Sequence, residues 1–202
     1  MQKTEHKLIS LNGGKDAQVV SLDERSDDDL MLLTRGGRKE AFEALVRRYH
    51  KQALTVAYKK VGSPSQARDI TQTTFLELYR YVPKYQAQGR FRSLLFRILF
   101  NECNKAHRSS GYARRVDEAL SHMPETMAEL PDDQLLAHER RRELERGLLE
   151  LSDKLRDVLV LRFTAELSYR EISAQLGIPV GTVKSRIAAG VAKMREILEG
   201  GD

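Results

Sequence analysis

The 202-residue sequence predicts an all-α protein built from two small helical domains. Three observations carry this. Apolar residues recur at i, i+3, i+4 and i+7 through most of the chain, and no alternating strand pattern of useful length is present. Proline is scarce, with 5 residues in the whole sequence, so few positions forbid a helix interior. A stretch rich in acidic residues, with Gly111, Pro124 and Pro131 and no apolar stripe, separates two strongly periodic regions and reads as a linker.

Residues 1–26 lack stable periodicity, contain Gly13-Gly14 and are expected to form a flexible tail. Ser26 followed by Asp27 to Asp29 can cap a helix and complement its dipole. The apolar turn Leu30 to Leu33 follows, and Gly36-Gly37 breaks it. A second helix is predicted over about Lys39 to Lys60, with Phe42, Leu45, Val46, Tyr49, Ala53, Val56 and Ala57 on one stripe. Gly62-Ser63-Pro64 ends it. A third runs from Ser65 to Tyr81, with Ala67, Ile70, Thr74, Phe75, Leu78 and Tyr79 inward. After a loop bracketed by Pro83 and Gly89, a fourth spans about Arg92 to Arg108. Four helices with short connections make a compact domain over 27–109. The linker is placed at 110–136. The second domain is expected over 137–199, entered by the stripe Leu144, Leu148, Leu151, Leu155, Val158, Leu159 and Phe163.

The sharpest local signal is SYREISAQLGIPVGTVKSR, Ser168 to Arg186. Tyr169, Ile172, Leu176 and Ile178 supply the apolar positions of a short helix and turn. Gly177 sits where that helix must stop, and Pro179 has no amide hydrogen to lose where the next one starts. Val183 and Ile187 pack back at i, i+4, which leaves Thr182, Lys184, Ser185 and Arg186 on or near the outer face. Such a helix suits the major groove of DNA.

The net charge is +5, but it is unevenly distributed. Residues 30–115 hold 18 Lys/Arg against 5 Asp/Glu, a net of +13, whereas residues 116–152 hold 4 against 10, a net of −6. A basic excess of that size on one domain points to a polyanionic partner. Within it, GRFRSLLFRILFNECNKAHR interleaves Arg90, Arg92, Arg97, Lys105 and Arg108 with Phe91, Phe96 and Phe100, and Tyr79, Tyr81 and Tyr85 lie upstream. The cations can neutralise phosphates and the aromatics can stack on unpaired bases. Phe96 and Phe100 read as core; Tyr85, Phe91 and the polar Asn101 are candidates for a base contact. A duplex reader joined to a single-strand reader suggests promoter opening.

Catalysis is not indicated. His6, His50, His107, His122 and His138 are scattered without metal-ligand spacing, and neither a phosphate loop nor a nucleophile motif is present. No cofactor or metal is expected. The single cysteine, Cys103, reads as a small buried apolar residue. No apolar run is long enough to cross a membrane and the first twenty residues lack a signal-peptide core, so a cytoplasmic location without membrane insertion is expected.

In order and spacing, AFEALVRRYH, ARDITQTTFLELY, GRFRSLLFRILFN and LSYREISAQLGIPVGTVKSRI resemble the extracytoplasmic-function (ECF) group of bacterial sigma factors, over about Asp28 to Ile197. The resemblance implies a sigma-2 domain and a sigma-4 domain joined by the acidic linker, and a function in binding core RNA polymerase and directing it to promoters. It implies that Asp69, Gln72, Thr73 and Phe75 dock on the beta-prime subunit. It assigns Tyr85, Phe91, Arg92, Arg97, Asn101, Lys105 and Arg108 to the −10 element, and Tyr169, Thr182, Lys184, Ser185 and Arg186 to the −35 element. The apolar start of the last domain, Leu155 to Phe163, would sit on the beta flap, and a cognate anti-sigma factor is expected as a further partner. The sequence departs from the family pattern at Arg68, Thr73, Leu94 and Lys105, and at Ala188-Ala189-Gly190-Val191, where arginines usually continue the −35 helix. A weak or unusual −35 interaction is therefore expected. Two other readings stay open on the sequence: a stand-alone helix-turn-helix regulator, and a sigma-like decoy that has lost promoter function.

Overall fold

The computed structural model describes residues 21–109 and 132–200, with only the helical backbone described at 107–109, 132–139 and 141. Among the described residues there are eight α-helices and no strand: α1 Asp27–Arg35, α2 Lys39–Val61, α3 Pro64–Tyr81, α4 Phe91–Ser109, α5 Asp132–Glu150, α6 Asp153–Leu159, α7 Tyr169–Leu176 and α8 Val180–Glu199. A single π-helical turn, Val160–Thr164, follows α6 directly. The tail and linker expected at 1–26 and 110–136 lie largely outside the described residues. Their described ends carry regular structure. Residues 21–26 are ordered, with a 3-10 turn at Leu22–Glu24 and the Arg48 guanidinium donating to the carbonyls of Asp23 and Arg25. At the other end, helix already begins at Asp132.

Helix starts follow local chemistry. The Ser26 hydroxyl accepts the Asp29 amide at the head of α1, and Ser63 does the same for Gln66 at the head of α3, with Pro64 in the first turn. The long α2 is the hub of the first unit. Its Leu45, Ala53, Val56 and Ala57 are fully buried, against Leu30 and Met31 of α1, Leu78 of α3, and Leu95, Phe96 and Leu99 of α4. Alanine at positions 41, 44, 53 and 57 of α2 lets the neighbouring helices approach closely. Cys103 is buried in this core, and burial pushes its thiol up to about 12, which makes it an inert apolar filler.

The second unit gathers α5 to α8 around Leu151, Val158, Leu161, Leu167, Ile172, Val183 and Ile187. Here the predicted entry stripe fails in register. Leu144 is 47 % exposed and Phe163 is 61 % exposed. Ser152 interrupts the helix, and the π turn then rotates the face that follows, so Leu161 and Ala165 point inward where Phe163 was expected. Gly190 of α8 is buried, and a Cβ built there would lie 3.1 Å from Leu159 of α6. It is therefore a close-packing residue and not a vacated DNA contact, which narrows the expected departure to its exposed neighbours. Gly190→Val is expected to destabilise the protein by about 1–3 kcal/mol through overpacking, read as a lower urea midpoint.

The two units pack on each other. Lys60 Nζ of α2 pairs with Asp157 Oδ1 of α6 at 2.6 Å, with the Lys60 side chain 5 % exposed. Gln52 donates to the Thr164 carbonyl at 2.8 Å and Lys59 to the Thr164 hydroxyl at 3.2 Å. Burial pushes the Asp157 carboxyl above its ordinary range, and the Lys60 ammonium pulls it back.

Candidate nucleic-acid and polymerase interfaces

Helix α3 sorts its side chains cleanly. Ala67, Ile70, Thr71, Thr74 and Leu78 face the core, and the Thr71 and Thr74 hydroxyls are satisfied by the carbonyls of Ala67 and Ile70. Asp69, Gln72 and Thr73 are exposed on the opposite face, with Leu76, 54 % exposed, continuing their row at i+3 and i+4. Phe75, inward by its spacing and a member of the contact set by the resemblance, is 7 % exposed, and its ring stacks on His50, centroids 6.3 Å apart. Its spacing from Gln72 places it one step round the helix, on the core side.

The loop between α3 and α4 is less open than its composition suggests. Tyr85 and Phe91, the expected base-stacking pair, are 4 % and 2 % exposed. Phe91 packs on Tyr49 and Tyr85, at centroid distances of 5.2 and 6.5 Å. The Tyr85 hydroxyl donates to Asp28 of α1, whose other oxygen accepts the Gly89 amide at 2.7 Å. Burial, then the Asp28 hydrogen bond, raises the Tyr85 phenol well above its usual value. Tyr49, buried and donating to Asp27, is pushed up to about 12. Neither ring of the expected pair can stack on a base in this structure. They brace the loop instead.

On α4, Arg97, Asn101 and Lys105 are exposed, and Lys105 is paired with Glu102 at 2.6 Å. Asn101 and Phe91, both candidates for a base contact, do not share a groove. Asn101 opens into a groove of about 380 Å³ shared with Tyr81, Ile98 and Lys105. Tyr81, 36 % exposed, is the aromatic available for stacking there. The Arg108 side chain lies outside the described residues. Arg92 is half-buried: its guanidinium pairs with Glu166 at 2.6 Å, reaches Gln52 Oε1 at 3.3 Å and lies 5.8 Å from the Tyr49 ring. A second groove, of about 580 Å³, runs between the loop, α4 and α7; Lys84, Arg90, Arg97 and Arg170 line it together with Glu171.

In the helix-turn-helix, Ser168 and Glu171 form a reciprocal capping box at the head of α7. Burial raises the Glu171 carboxyl, but hydrogen bonds from Ser168 and Ser93 and the nearby Arg92 charge outweigh it and leave it below its ordinary value. The Ser-x-x-Glu spacing of Ser168 and Glu171 marks such a helix start, a signal not among those that predicted this helix from sequence. Gly177, at φ +65°, ends α7 as predicted. The next helix begins at Val180, with Pro179 as its N-cap. Lys184 and Ser185 are exposed; Thr182 and Arg186 are half-buried. Tyr169 is half-buried under the Arg162 guanidinium, 5.3 Å from its ring. Among the described residues no group of His, Cys, Asp and Glu could hold a metal ion, and no helix is long and apolar enough to cross a membrane.

The model for Sigma-70 region 2 matches residues 45–112, and that for Sigma-70, region 4 matches residues 141–194. The chain is 31% identical to the ECF RNA polymerase sigma factor SigW of Bacillus subtilis over 80% of its own length and 91% of that protein. It is 34% identical to the ECF RNA polymerase sigma factor SigE of Mycolicibacterium smegmatis, over 78% of this chain and 62% of that one. In fold it is similar to CnrH, solved in complex with the cytosolic domain of CnrY, with a TM-score of 0.64, 24% identity, and coverage of 87% of this chain and 99% of CnrH. It is also similar to the sigma factor RpoE of Bartonella quintana, solved with the anti-sigma factor NepR, with a TM-score of 0.60, 22% identity, and coverage of 80% and 98%. A basic helical unit with an exposed polar row, followed by a second helical unit with a helix-turn-helix, thus occurs in the order and over the span of these relatives: the chain belongs to the ECF RNA polymerase sigma factors, alternative factors that direct promoter-specific transcription.

Proposed function

We propose that residues 27–109 act as the sigma-2 domain and 137–199 as the sigma-4 domain, and that the row Asp69, Gln72 and Thr73 is the dock for core polymerase. The carrying observation is the sorting of α3, which buries its apolar and threonine positions and leaves a carboxylate, an amide and a hydroxyl in line beside exposed Leu76. On a domain that is otherwise basic, such a row offers directional contacts to a cationic partner surface. Asp69→Ala combined with Gln72→Ala is expected to lower co-elution with core polymerase at least tenfold while leaving the helical circular dichroism unchanged. Retained co-elution overturns the assignment.

For the −10 element the reading rests on Arg97, Asn101, Lys105 and Arg92 of α4, with Tyr81 rather than Tyr85 or Phe91 as the stacking ring. For the −35 element it rests on Thr182, Lys184, Ser185 and Arg186. Ala188 and Ala189 are exposed where further arginines would reach phosphates. Ala189→Arg is expected to raise promoter affinity and to steepen its salt dependence by about 0.9 in log–log slope, measured by filter binding of the holoenzyme. An anti-sigma partner is proposed from the company in which the similar structures were solved. The factor acts in the cytoplasm, without catalysis of its own. Run-off transcription from a promoter library, with core polymerase and with or without this protein, tests the whole reading. Defined initiation only in its presence is the expected result; duplex binding without core would favour a stand-alone regulator, and core binding without initiation a decoy.

A further inference from the structure

The contact between the two units involves groups that the promoter reading needs free. Arg92 stands in the first turn of α4, and its guanidinium is held from the opposite unit by the Glu166 carboxylate at 2.6 Å. Glu166 has φ +56°, and among the described residues no other non-glycine residue has positive φ. Glycine or asparagine would adopt that backbone more cheaply. A glutamate at such a backbone position points to work done by its side chain, and the partner of that side chain is Arg92.

The rest of the contact reinforces the same geometry. Gln175 of α7 donates to the Phe96 carbonyl of α4 at 3.2 Å. The first helix of the helix-turn-helix therefore lies against the start of the helix assigned to the −10 element. Gln52 with Thr164, and the buried Lys60–Asp157 pair, hold the flank.

We infer that Glu166 and Arg92 form an autoinhibitory clasp, in which a carboxylate occupies the guanidinium where a phosphate of promoter DNA would bind. The inference rests on the reading of α4 as a DNA-binding helix. Carboxylate and phosphate are alternative acceptors for the same planar donor set. While the clasp is closed, the apparent DNA affinity of the free protein is lowered by the fraction of molecules that are open.

Two full-length variants test it. Glu166→Gln removes the charge and keeps the volume. Glu166→Gly removes the side chain and relieves the backbone, so it cannot act by failing to fold at this position. Spin labels at Glu43→Cys and Glu196→Cys, both exposed, report the separation of the units; a single-stranded −10 oligonucleotide at low salt reports DNA affinity. Both Glu166 variants are expected to broaden the label separation toward longer distances and to raise oligonucleotide affinity about threefold to tenfold. An unchanged separation overturns the clasp, and so does a longer separation without tighter binding. Arg92→Ala in the holoenzyme separates the two failures. If promoter opening is unaffected, the DNA role of Arg92 is wrong; if opening falls but the Glu166 variants behave as wild type, only the clasp is wrong.

Discussion

Arg156→Met is expected to cost about 3–5 kcal/mol of stability, one of the two largest effects anticipated for this protein. Helix α5 ends at Glu150 and α6 starts at Asp153, so the last carbonyls of α5 have no amide ahead of them. Arg156 reaches back from α6 to supply the donors. Nε bonds the Leu148 carbonyl at 2.8 Å, and Nη2 bonds those of Leu149 and Leu151 at 2.6 and 2.7 Å. Nη1 reaches Asp153 at 3.1 Å and the Lys60 carbonyl of the first unit at 3.5 Å. The side chain is 2 % exposed, so water cannot replace it. A positive charge at the C-terminal end of α5 also complements the helix dipole. Methionine keeps the apolar stem and deletes every donor, leaving four carbonyls without their Arg156 partner, three of them at the end of α5 and the corner after it, at about 1–3 kcal/mol for each buried group, partly relieved by local rearrangement. Arg156→Lys retains the charge, but one ammonium cannot span carbonyls on three residues, so less than half of the loss should be recovered. Urea unfolding followed by circular dichroism measures both; a loss below about 1 kcal/mol for methionine would mean that the carbonyls find other donors.

Arg156 also marks the boundary of what the sequence makes legible. The apolar face of α2, the caps at Ser26 and Gly177, and the inward Val183 and Ile187 follow from spacing alone, because each depends on neighbours within a turn or two. The arginine reads as one more solvated charge until α5 and α6 meet at a corner. Lys60 and Asp157 are equally mute in sequence, since nothing local links residues 97 positions apart. The loop aromatics fail for the same reason. Tyr85 sits among glutamines, a lysine and a glycine and looks like surface, but Asp28, 57 residues earlier, takes its hydroxyl and draws it inward. Phe163 departs from continuous α-helical periodicity because the break at Ser152 and the π turn each shift the register. The polar rows were easier to find, because a row such as Asp69, Gln72 and Thr73 needs only the phase of one helix. Which aromatic is open to solvent depends on the whole bundle: Phe91 is 2 % exposed and Tyr81 36 %.

The largest functional effect is expected from Lys184→Ala combined with Arg186→Ala. Both residues lie in the second turn of α8, two positions apart, with exposed Ser185 between them. Val183 and Ile187 are 0 % and 8 % exposed and anchor that turn to α7 and α6, so the cations are presented from a rigid support. Arg186 is half-buried, which limits the rotamers its guanidinium can sample and lowers the entropy lost on binding. Ala188, Ala189 and Gly190 follow, so the next three positions of α8 bring no charge that could compensate. If one of the two residues reads a base edge and the other a phosphate, the pair is worth about 1–3 kcal/mol for the base contact and about 0.9 of log–log salt slope for the phosphate. If both contact phosphates, the slope should fall by about 1.8 with little change in sequence preference, and the two cases are separable on one titration series. Run-off transcription should fall roughly tenfold to a hundredfold on a promoter carrying a −35 element, the tenfold per 1.4 kcal/mol conversion setting the scale. Binding to core polymerase should not change, because the proposed core contacts lie on α3 and at Leu155 to Phe163, away from Lys184 and Arg186, and α8 keeps its packing. A parallel loss of core binding would show that this face of the helix-turn-helix serves the polymerase and not the DNA.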